Sequence, residues 1–210
     1  MDGTFKTDFK GEAPNANHSI TGRLKLGTES NGGFRNIAIS NCVFEHSRGI
    51  CIETADSGLI EDVGGRPKFS EVGAGMMMGI PGHYIEDLTL SNIRIYFRAG
   101  ASKEAIDKEV PQNVDMYPDP YRWHSLPAYG MYFRYVKGLR VSNVVLRFMN
   151  RDERPAFVLD DVQDATFSNI DAQKGDGAPQ FILKNVTNFS AHQVSEVADS
   201  KVEKAEKKEL

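Results

Sequence analysis

Apolar and polar residues alternate along short segments of this chain, and four of these segments end at a Ser-Asn pair. The clearest copy lies between Phe34 and Thr54 and reads FRNIAISNCVFEHSRGICIET. It recurs in weaker form as YIEDLTLSNIRI, VKGLRVSNVVL and VQDATFSNIDA. Period-two alternation predicts a β-strand with one buried face, and Ser and Asn favour the bend that follows. The pattern therefore predicts a repeat of short strands.

The repeat returns at a nearly constant distance along the chain. Its apolar anchor positions are 24 to 26 residues apart, except for one gap of 51, and they are Ile37, Val63, Leu88, Leu139, Ala165 and Phe189. Equivalent strands one repeat apart must run in the same direction. We therefore predict an all-β chain, folded as a right-handed parallel β-helix of about six rungs with one long insertion. A leucine-rich repeat is the competing architecture, but its L-x-x-L-x-L frame is missing.

A second strand precedes each anchor, in GRLKLG, GICIET, GMMMG, GMYFRY, AFVLDD and QFILKN. Alternation splits each of these strands into a core face and an outward face. The predicted core face contains Leu24, Leu26, Ile50, Ile52, Met76, Met78, Met131, Phe133, Phe157, Leu159, Phe181 and Leu183. The predicted outward ladder contains Arg23, Lys25, Cys51, Glu53, Met77, Tyr132, Arg134, Val158, Asp160, Ile182 and Lys184.

Three regions follow from this pattern. Residues 1–20 are rich in turn-forming residues and predict a loop that can cap the β-helix. Residues 21–194 form the β-helix, interrupted by an insertion at 98–127 whose segment SKEAIDKEV predicts about two helical turns. Residues 195–210 form a charged C-terminal tail, predicted as a helix or a frayed end. A stack of asparagines (Asn41, Asn92, Asn143 and Asn169) is expected to be structural.

Composition narrows the function classes. The 210 residues are 40% hydrophobic and carry a net charge of −4, which suits one core and argues against a nucleic-acid surface. No apolar run is long enough to span a membrane, and the first residues lack the apolar core of a signal peptide. Two cysteines, Cys42 and Cys51, supply neither a disulfide framework nor a metal site, and no cofactor is implied.

The segment LGTESNGGFRNIAISNCVFEHSRGICIET resembles the later rungs of the family 28 glycoside hydrolases, the polygalacturonase-like pectinases. The segments GIPGHYIEDLTLSNIRI, LPAYGMYFRYVKGL and RPAFVLDDV resemble a bacterial branch of that family, so the similarity covers about residues 20 to 175. The resemblance implies a pectin-lyase-like β-helix, inverting hydrolysis of α-glycosidic bonds in pectic polysaccharide, and a secreted or periplasmic location.

The chain departs from the family at the positions that carry catalysis. Inversion needs a carboxylic acid and a carboxylate that activates water, and the family's N-T-D and Asp-Asp motifs are absent in usable form. Asp160 and Asp161 end a strand and are interpreted as turn acids. The family's R-I-K falls on Cys51, Ile52 and Glu53, which reverses the charge.

Two hypotheses remain for the site. The catalytic rungs precede Met1 in a longer protein, or the site has been rebuilt with Glu53 and Glu29 as catalytic carboxylates. In the rebuilt site Arg23 and Lys25 bind the acidic sugar. The structural alternatives are a salt bridge between Lys25 and Glu53 and a turn-capping role for Glu29.

Other candidates for binding a pectic polysaccharide lie on the outward ladder and in the insertion. Tyr132 and Arg134 belong to the ladder, and His83 lies in a predicted loop beside it. Aromatic faces stack on sugars and Arg pairs with carboxylates, so the insertion predicts a sugar platform of Arg122, Trp123 and His124, unless these residues only pack the insertion. The alternative function is a non-catalytic β-helix module that binds acidic polysaccharide. We expect a monomer if the helix end is capped.

Overall fold

A computed structural model of the chain describes residues 24–26, 37–38, 50–53, 63–64, 75–97, 100–112 and 126–210. Its strands are β1 (Leu24–Leu26), β2 (Ile37–Ala38), β3 (Ile50–Glu53), β4 (Val63–Gly64), β5 (Gly75–Met78), β6 (Ile85–Glu86), β7 (Thr89–Phe97), β8 (Met131–Phe148), β9 (Phe157–Ala172), β10 (Phe181–Val194) and β11 (Ser200–Glu209). In this part of the chain the fold is all-β, apart from one 3-10 turn at Lys103–Ala105.

Most strands belong to one sheet with the order β1-β3-β5-β8-β9-β10-β11. All pairs on this path are parallel except the last, in which β11 runs antiparallel to β10. Strands β6 and β7 also pair with β8 in parallel, and β2 pairs with β4 in a separate two-stranded sheet. The sheet is therefore mostly parallel, as alternation and repeat distance predicted.

The strand register confirms the repeat anchors that lie in paired strands. Ile37 is paired with Val63, and Leu139 with Ala165, which is paired in turn with Phe189. Leu88 lies beside Leu139, because the amide of Arg140 donates to the Leu88 carbonyl at 2.8 Å. The sequence repeat is thus a repeat of the pairing register.

The long strands bend at residues with left-handed backbone conformations. One bend stacks Asn92, Asn143 and Asn169, with φ angles of 55°, 58° and 52°. Asn143 Nδ2 donates to Asn92 Oδ1 at 2.8 Å, and Asn169 Nδ2 donates to Asn143 Oδ1. Asparagine tolerates this conformation better than other chiral residues, and the stacked amides satisfy one another. The structural role predicted for these three asparagines is confirmed, and Asn41 lies outside the described residues.

The main core is an apolar cluster built mostly from the long strands. The predicted core residues of β8, β9 and β10 belong to it, and they are Met131, Phe133, Phe157, Leu159, Phe181 and Leu183. Phe167 lies at their centre, with ring centroids 5.0 to 6.1 Å from those of Phe133, Phe157, Phe181 and Phe189.

The prediction of which β5 residues lie in the core is wrong. Met77 lies in the main core, whereas Met76 and Met78 lie in a second apolar cluster on the outer side of the sheet. The register pairs Met77 with the core residue Phe133, and the pairing sets the face. Three consecutive methionines contain no alternation from which sequence alone can choose a face.

The insertion differs from its prediction as well. The segment SKEAIDKEV forms a single 3-10 turn, closed by a 3.1 Å bond from the Ala105 amide to the Ser102 carbonyl, rather than two helical turns. Ile106 and Val110 instead pack against the outer apolar cluster. So short a helix is costly to nucleate, and contact with the sheet outweighs its propensity.

The C-terminal tail is neither a helix nor a frayed end. Strand β11 pairs with β10 from Ser200 opposite Ala191 to Glu209 opposite Ile182. Val202 and Ala205 are 6% and 7% exposed and join the main core. A spacing of three residues suits a helix or a bent strand, and the burial of both residues against the main core favours the strand.

Candidate functional site

The outer face of the sheet carries the column that was predicted as a substrate-binding ladder. The register aligns Glu53, Met78, Arg134, Asp160 and Lys184 on successive strands, which lie about 4.8 Å apart in a sheet. A parallel column aligns Lys25, Cys51, Met76, Tyr132, Val158 and Ile182. Adjacent rungs therefore place charged and aromatic residues side by side on one face.

The outer face is buried where the insertion crosses it. Tyr132 is 0% and Arg134 is 3% exposed. Leu126 and Ala128 join the second cluster, with Ile106 and Val110 packed against it. We call residues 100–112 the strap. The expectation of an open face is thus wrong at Tyr132 and Arg134, because a segment distant in sequence supplies apolar groups that cover them.

The guanidinium of Arg134 is held by backbone carbonyls of the strap. Nη1 donates to the Val110 carbonyl at 2.6 Å and Nη2 to the Pro111 carbonyl at 3.0 Å. Its Nε is buried and has no hydrogen-bond partner among the described residues. The guanidinium carbon lies 5.9 Å from the ring centroids of both Tyr132 and Tyr135. The cation is therefore stabilised by carbonyl dipoles and aromatic faces.

Tyr132 and Asp160 form the second polar contact of this face. The Tyr132 hydroxyl donates to Asp160 Oδ2 at 2.7 Å. Burial raises the pKa of Tyr132 well above its usual range, and the charge of Asp160 raises this pKa further. The phenol consequently stays protonated at physiological pH and acts as a hydrogen-bond donor to the carboxylate.

Tyr135 was not predicted as a site residue. It adopts a left-handed conformation with φ of 51°, at a bend where the next two rungs have Asp161 and Asn185. Its ring meets Tyr84 edge to face at 5.7 Å, and its hydroxyl accepts a 2.9 Å hydrogen bond from Gln112 Nε2. Bulky residues rarely adopt this conformation. The sequence signal was a tyrosine at a repeat position where the next two rungs have Asp and Asn.

Asp161 has a structural partner at the same bend. Asn185 Nδ2 donates to Asp161 Oδ1, and both residues have left-handed backbones, with φ angles of 54° and 50°. The interpretation of Asp161 as a turn acid is confirmed. Neither Asp160 nor Asp161 is thus an unengaged carboxylate that faces solvent.

His83 lies in a tight turn beside strand β8. Its amide donates to the Ile80 carbonyl at 2.9 Å, and the Gly79 amide donates to the Arg134 carbonyl at 2.8 Å. A Cβ on Gly79 would lie only 2.5 Å from the His83 carbonyl oxygen. The close approach therefore requires glycine and brings an exposed histidine next to the strand of Arg134.

Several predicted site residues lie outside the described residues. They are Arg23, Glu29, Arg122, Trp123 and His124. For Lys25 and Glu53 the structure describes the strand position alone, opposite Cys51 and Met78 respectively. The site residues that the structure describes in full are Tyr132, Arg134 and His83, and it brings these three to one strand and its adjacent turn.

The described ranges contain neither a membrane-spanning helix nor a cluster of metal-binding side chains. No helix there has the length and apolarity needed to cross a membrane. No group of three or more His, Cys, Asp or Glu residues there is arranged to hold a metal ion.

Comparison of the chain with models of protein families, with curated proteins and with solved structures finds no match.

Proposed function

We propose that this chain is a right-handed parallel β-helix of the polygalacturonase-like type, a glycoside hydrolase that acts on α-glycosidic bonds of pectic polysaccharide. The observation that carries the fold proposal is the register of the long strands. Leu139, Ala165 and Phe189 lie side by side on consecutive parallel strands, at one repeat per strand. Bends with left-handed residues recur on β8, β9 and β10, which supports a coil with one repeat per turn.

The substrate proposal rests on the resemblance and on the chemistry of the outer columns. An acidic polysaccharide is bound by cations, and the columns contain Lys25 and Lys184 on parallel strands, in addition to Arg134, which is buried. The strap covers the rung of Arg134. We therefore propose that polymer binds toward the rungs of Lys25 and Glu53, where Arg23 also lies in sequence. A secreted or periplasmic location belongs to this proposal.

A non-catalytic module for acidic polysaccharide is the second candidate. The described carboxylates of the outer face favour this candidate, because both already accept hydrogen bonds within the chain. Asp160 accepts from the Tyr132 hydroxyl and Asp161 accepts from the Asn185 amide. Inverting hydrolysis needs two carboxyl groups about 6.5–9.5 Å apart with water between them. In this alternative the chain binds the polymer and leaves it intact.

Release of reducing ends from polygalacturonate by the full chain, after circular dichroism has shown that it is folded, tests the proposal. We expect turnover that Glu53→Gln abolishes. Glu86→Gln is the matched control, because Glu86 is an accessible glutamate on β6, 4.0 Å from Lys137. Turnover that persists in the Glu53→Gln variant would show that Glu53 is not a catalytic residue. Binding without any turnover would support the non-catalytic module, and neither binding nor turnover would overturn both candidates.

A further inference from the structure

Two tyrosines on neighbouring rungs meet at the surface. Tyr84 precedes Ile85 and Tyr135 precedes Val136, and Ile85 is paired with Val136 in the strand register. The two ring centroids are 5.7 Å apart and the ring planes are 83° apart, so the rings form a corner. Both side chains are partly exposed. Perpendicular aromatic rings of this kind present a flat apolar face beside a ring edge.

Tyr135 holds its position at a conformational cost. Among the described non-glycine residues with left-handed backbones it is the only aromatic one, and the others are Asp, Asn, Gln or Glu. The next two rungs have Asp161 and Asn185 at the same position, hydrogen-bonded to each other. Asparagine would be less strained there, so the backbone does not explain the tyrosine. Strained residues concentrate at binding sites, where the strain is part of function.

Polar side chains continue from the tyrosine corner along the same face. Two adjacent columns form this face, and they contain Tyr84, Tyr135, Asp161 and Asn185 and, alongside, Glu86, Lys137, Gln163 and Thr187. All of these side chains are exposed or partly exposed. We call the two columns the tyrosine ridge. Four rungs at about 4.8 Å make the ridge about 14 Å long, which is room for several sugar units.

The ridge has many hydrogen-bonding groups and little net charge. Lys137 lies 4.0 Å from Glu86, which leaves the carboxylate of Asp161 without an opposite charge on the ridge. A uronic acid would bring a second carboxylate close to it, whereas the hydroxyls of a neutral sugar donate to carboxylates. The Tyr135 hydroxyl accepts from Gln112. Burial, followed by the charge of Asp161, raises the pKa of Tyr135, so the phenol keeps a proton to donate.

We propose that the tyrosine ridge binds a neutral oligosaccharide, with one pyranose ring against the corner of Tyr84 and Tyr135. The C–H face of the sugar packs on an aromatic face, and its hydroxyls bond to Asp161 and to the amides along the ridge. This site is separate from the polymer site proposed at the rungs of Lys25 and Glu53. It goes beyond the proposed enzymatic activity and does not depend on it.

Isothermal titration calorimetry of the full chain with galactotetraose, mannotetraose and cellotetraose, each at up to about 10 mM, tests the proposal. We expect at least one of these neutral tetrasaccharides to bind. Tyr135→Asn removes the ring and relieves the strain, so it should weaken binding at least about tenfold, while the urea midpoint of unfolding stays the same or rises. Tyr135→Phe keeps the ring and should retain binding within about threefold.

Met149→Asn is the control, because Met149 is an apolar side chain outside the ridge with 76% exposure. It should leave binding unchanged, and circular dichroism should show that every variant is folded. Binding of tetragalacturonate reports on the separate acidic-polysaccharide site and should not respond to Tyr135→Asn, so the two proposals stand or fall separately.

Three results would overturn the proposal. The first is that none of the neutral tetrasaccharides binds the folded chain. The second is binding that Tyr135→Asn leaves intact, which would make the tyrosine a structural residue only. The third is binding that Met149→Asn weakens as much as Tyr135→Asn does, which would place the sugar elsewhere on the surface.

Discussion

Asp152 and Arg154 form a fully buried, two-pronged ion pair. Arg154 Nε donates to Asp152 Oδ1 at 2.9 Å and Nη2 to Oδ2 at 2.8 Å, and the two side chains are 0% and 1% exposed. Asp152 Oδ2 also accepts from the amides of Gly100 and Ala101, at 2.9 and 3.1 Å. Arg154 Nη1 donates to the Leu126 carbonyl at 3.0 Å. One ion pair thus fixes both sides of the insertion to the loop before β9.

Replacing Arg154 should strongly destabilise the fold. Arg154→Met leaves Asp152 as a buried charge without its cation, a change that typically costs about 3–5 kcal/mol. The free energy of unfolding in urea, followed by circular dichroism, measures the loss. Arg151→Met is the control, because Arg151 pairs with Asp176 at side-chain exposures of 72% and 58% and should cost less than about 1 kcal/mol. Equal losses in the two variants would contradict the importance of the buried pair.

Acidic pH should reduce the contribution of the Asp152–Arg154 ion pair to the free energy of unfolding. Burial alone would raise the pKa of Asp152, but the hydrogen bonds and charge of Arg154 outweigh it and hold the pKa below its usual range. The stabilisation is fully present above the unfolded-state pKa of about 3.9 and is lost as pH falls through the lower folded-state pKa. The difference in unfolding free energy between the unmodified chain and Asp152→Asn should therefore narrow between about pH 6 and pH 2. A difference independent of pH would argue against this linkage.

Variants of Asn143 should distinguish the two reasons for asparagine at this bend, which are its side-chain hydrogen bonds and its left-handed backbone conformation. Asn143→Ala removes the hydrogen bonds to Asn92 and Asn169 and places alanine at φ of 58°, a conformation that alanine tolerates less well than asparagine, so we expect a loss of about 2 kcal/mol. Asn143→Gly loses the same bonds but adopts the conformation freely, and it should be about 1 kcal/mol more stable than Asn143→Ala. Thermal and urea unfolding measure both variants. Equal stability of the two would mean that backbone strain has no part in the preference.

The sequence predicted the strands and their stacking because these features are local and periodic. Spacing alone aligned Ile37 with Val63, and likewise Leu139, Ala165 and Phe189, and these residues are paired in the structure. The alternating strands β8, β9 and β10 revealed their core residues for the same reason. The segment GMMMG has no alternation of apolar and polar residues, so the sequence did not show which methionine lies in the core. The pairing of β5 with β8 places Met77 in the main core.

The candidate site was predicted less well, because its environment depends on contacts between distant segments. Arg134 and Tyr132 were correctly placed on the outer face, but Val110 and Pro111, more than twenty residues away, determine that Arg134 is buried. Tyr135 was missed, although the repeat position that it shares with Asp161 and Asn185 offered a signal.

By itself, the sequence determined an all-β chain with repeated parallel strands and asparagine bends, because alternation and turn preference act over a few residues. Tertiary structure alone decided that the strap covers part of the outer face and that the charged tail becomes strand β11. Both outcomes follow from the burial of apolar groups against surfaces that exist only after the sheet has formed.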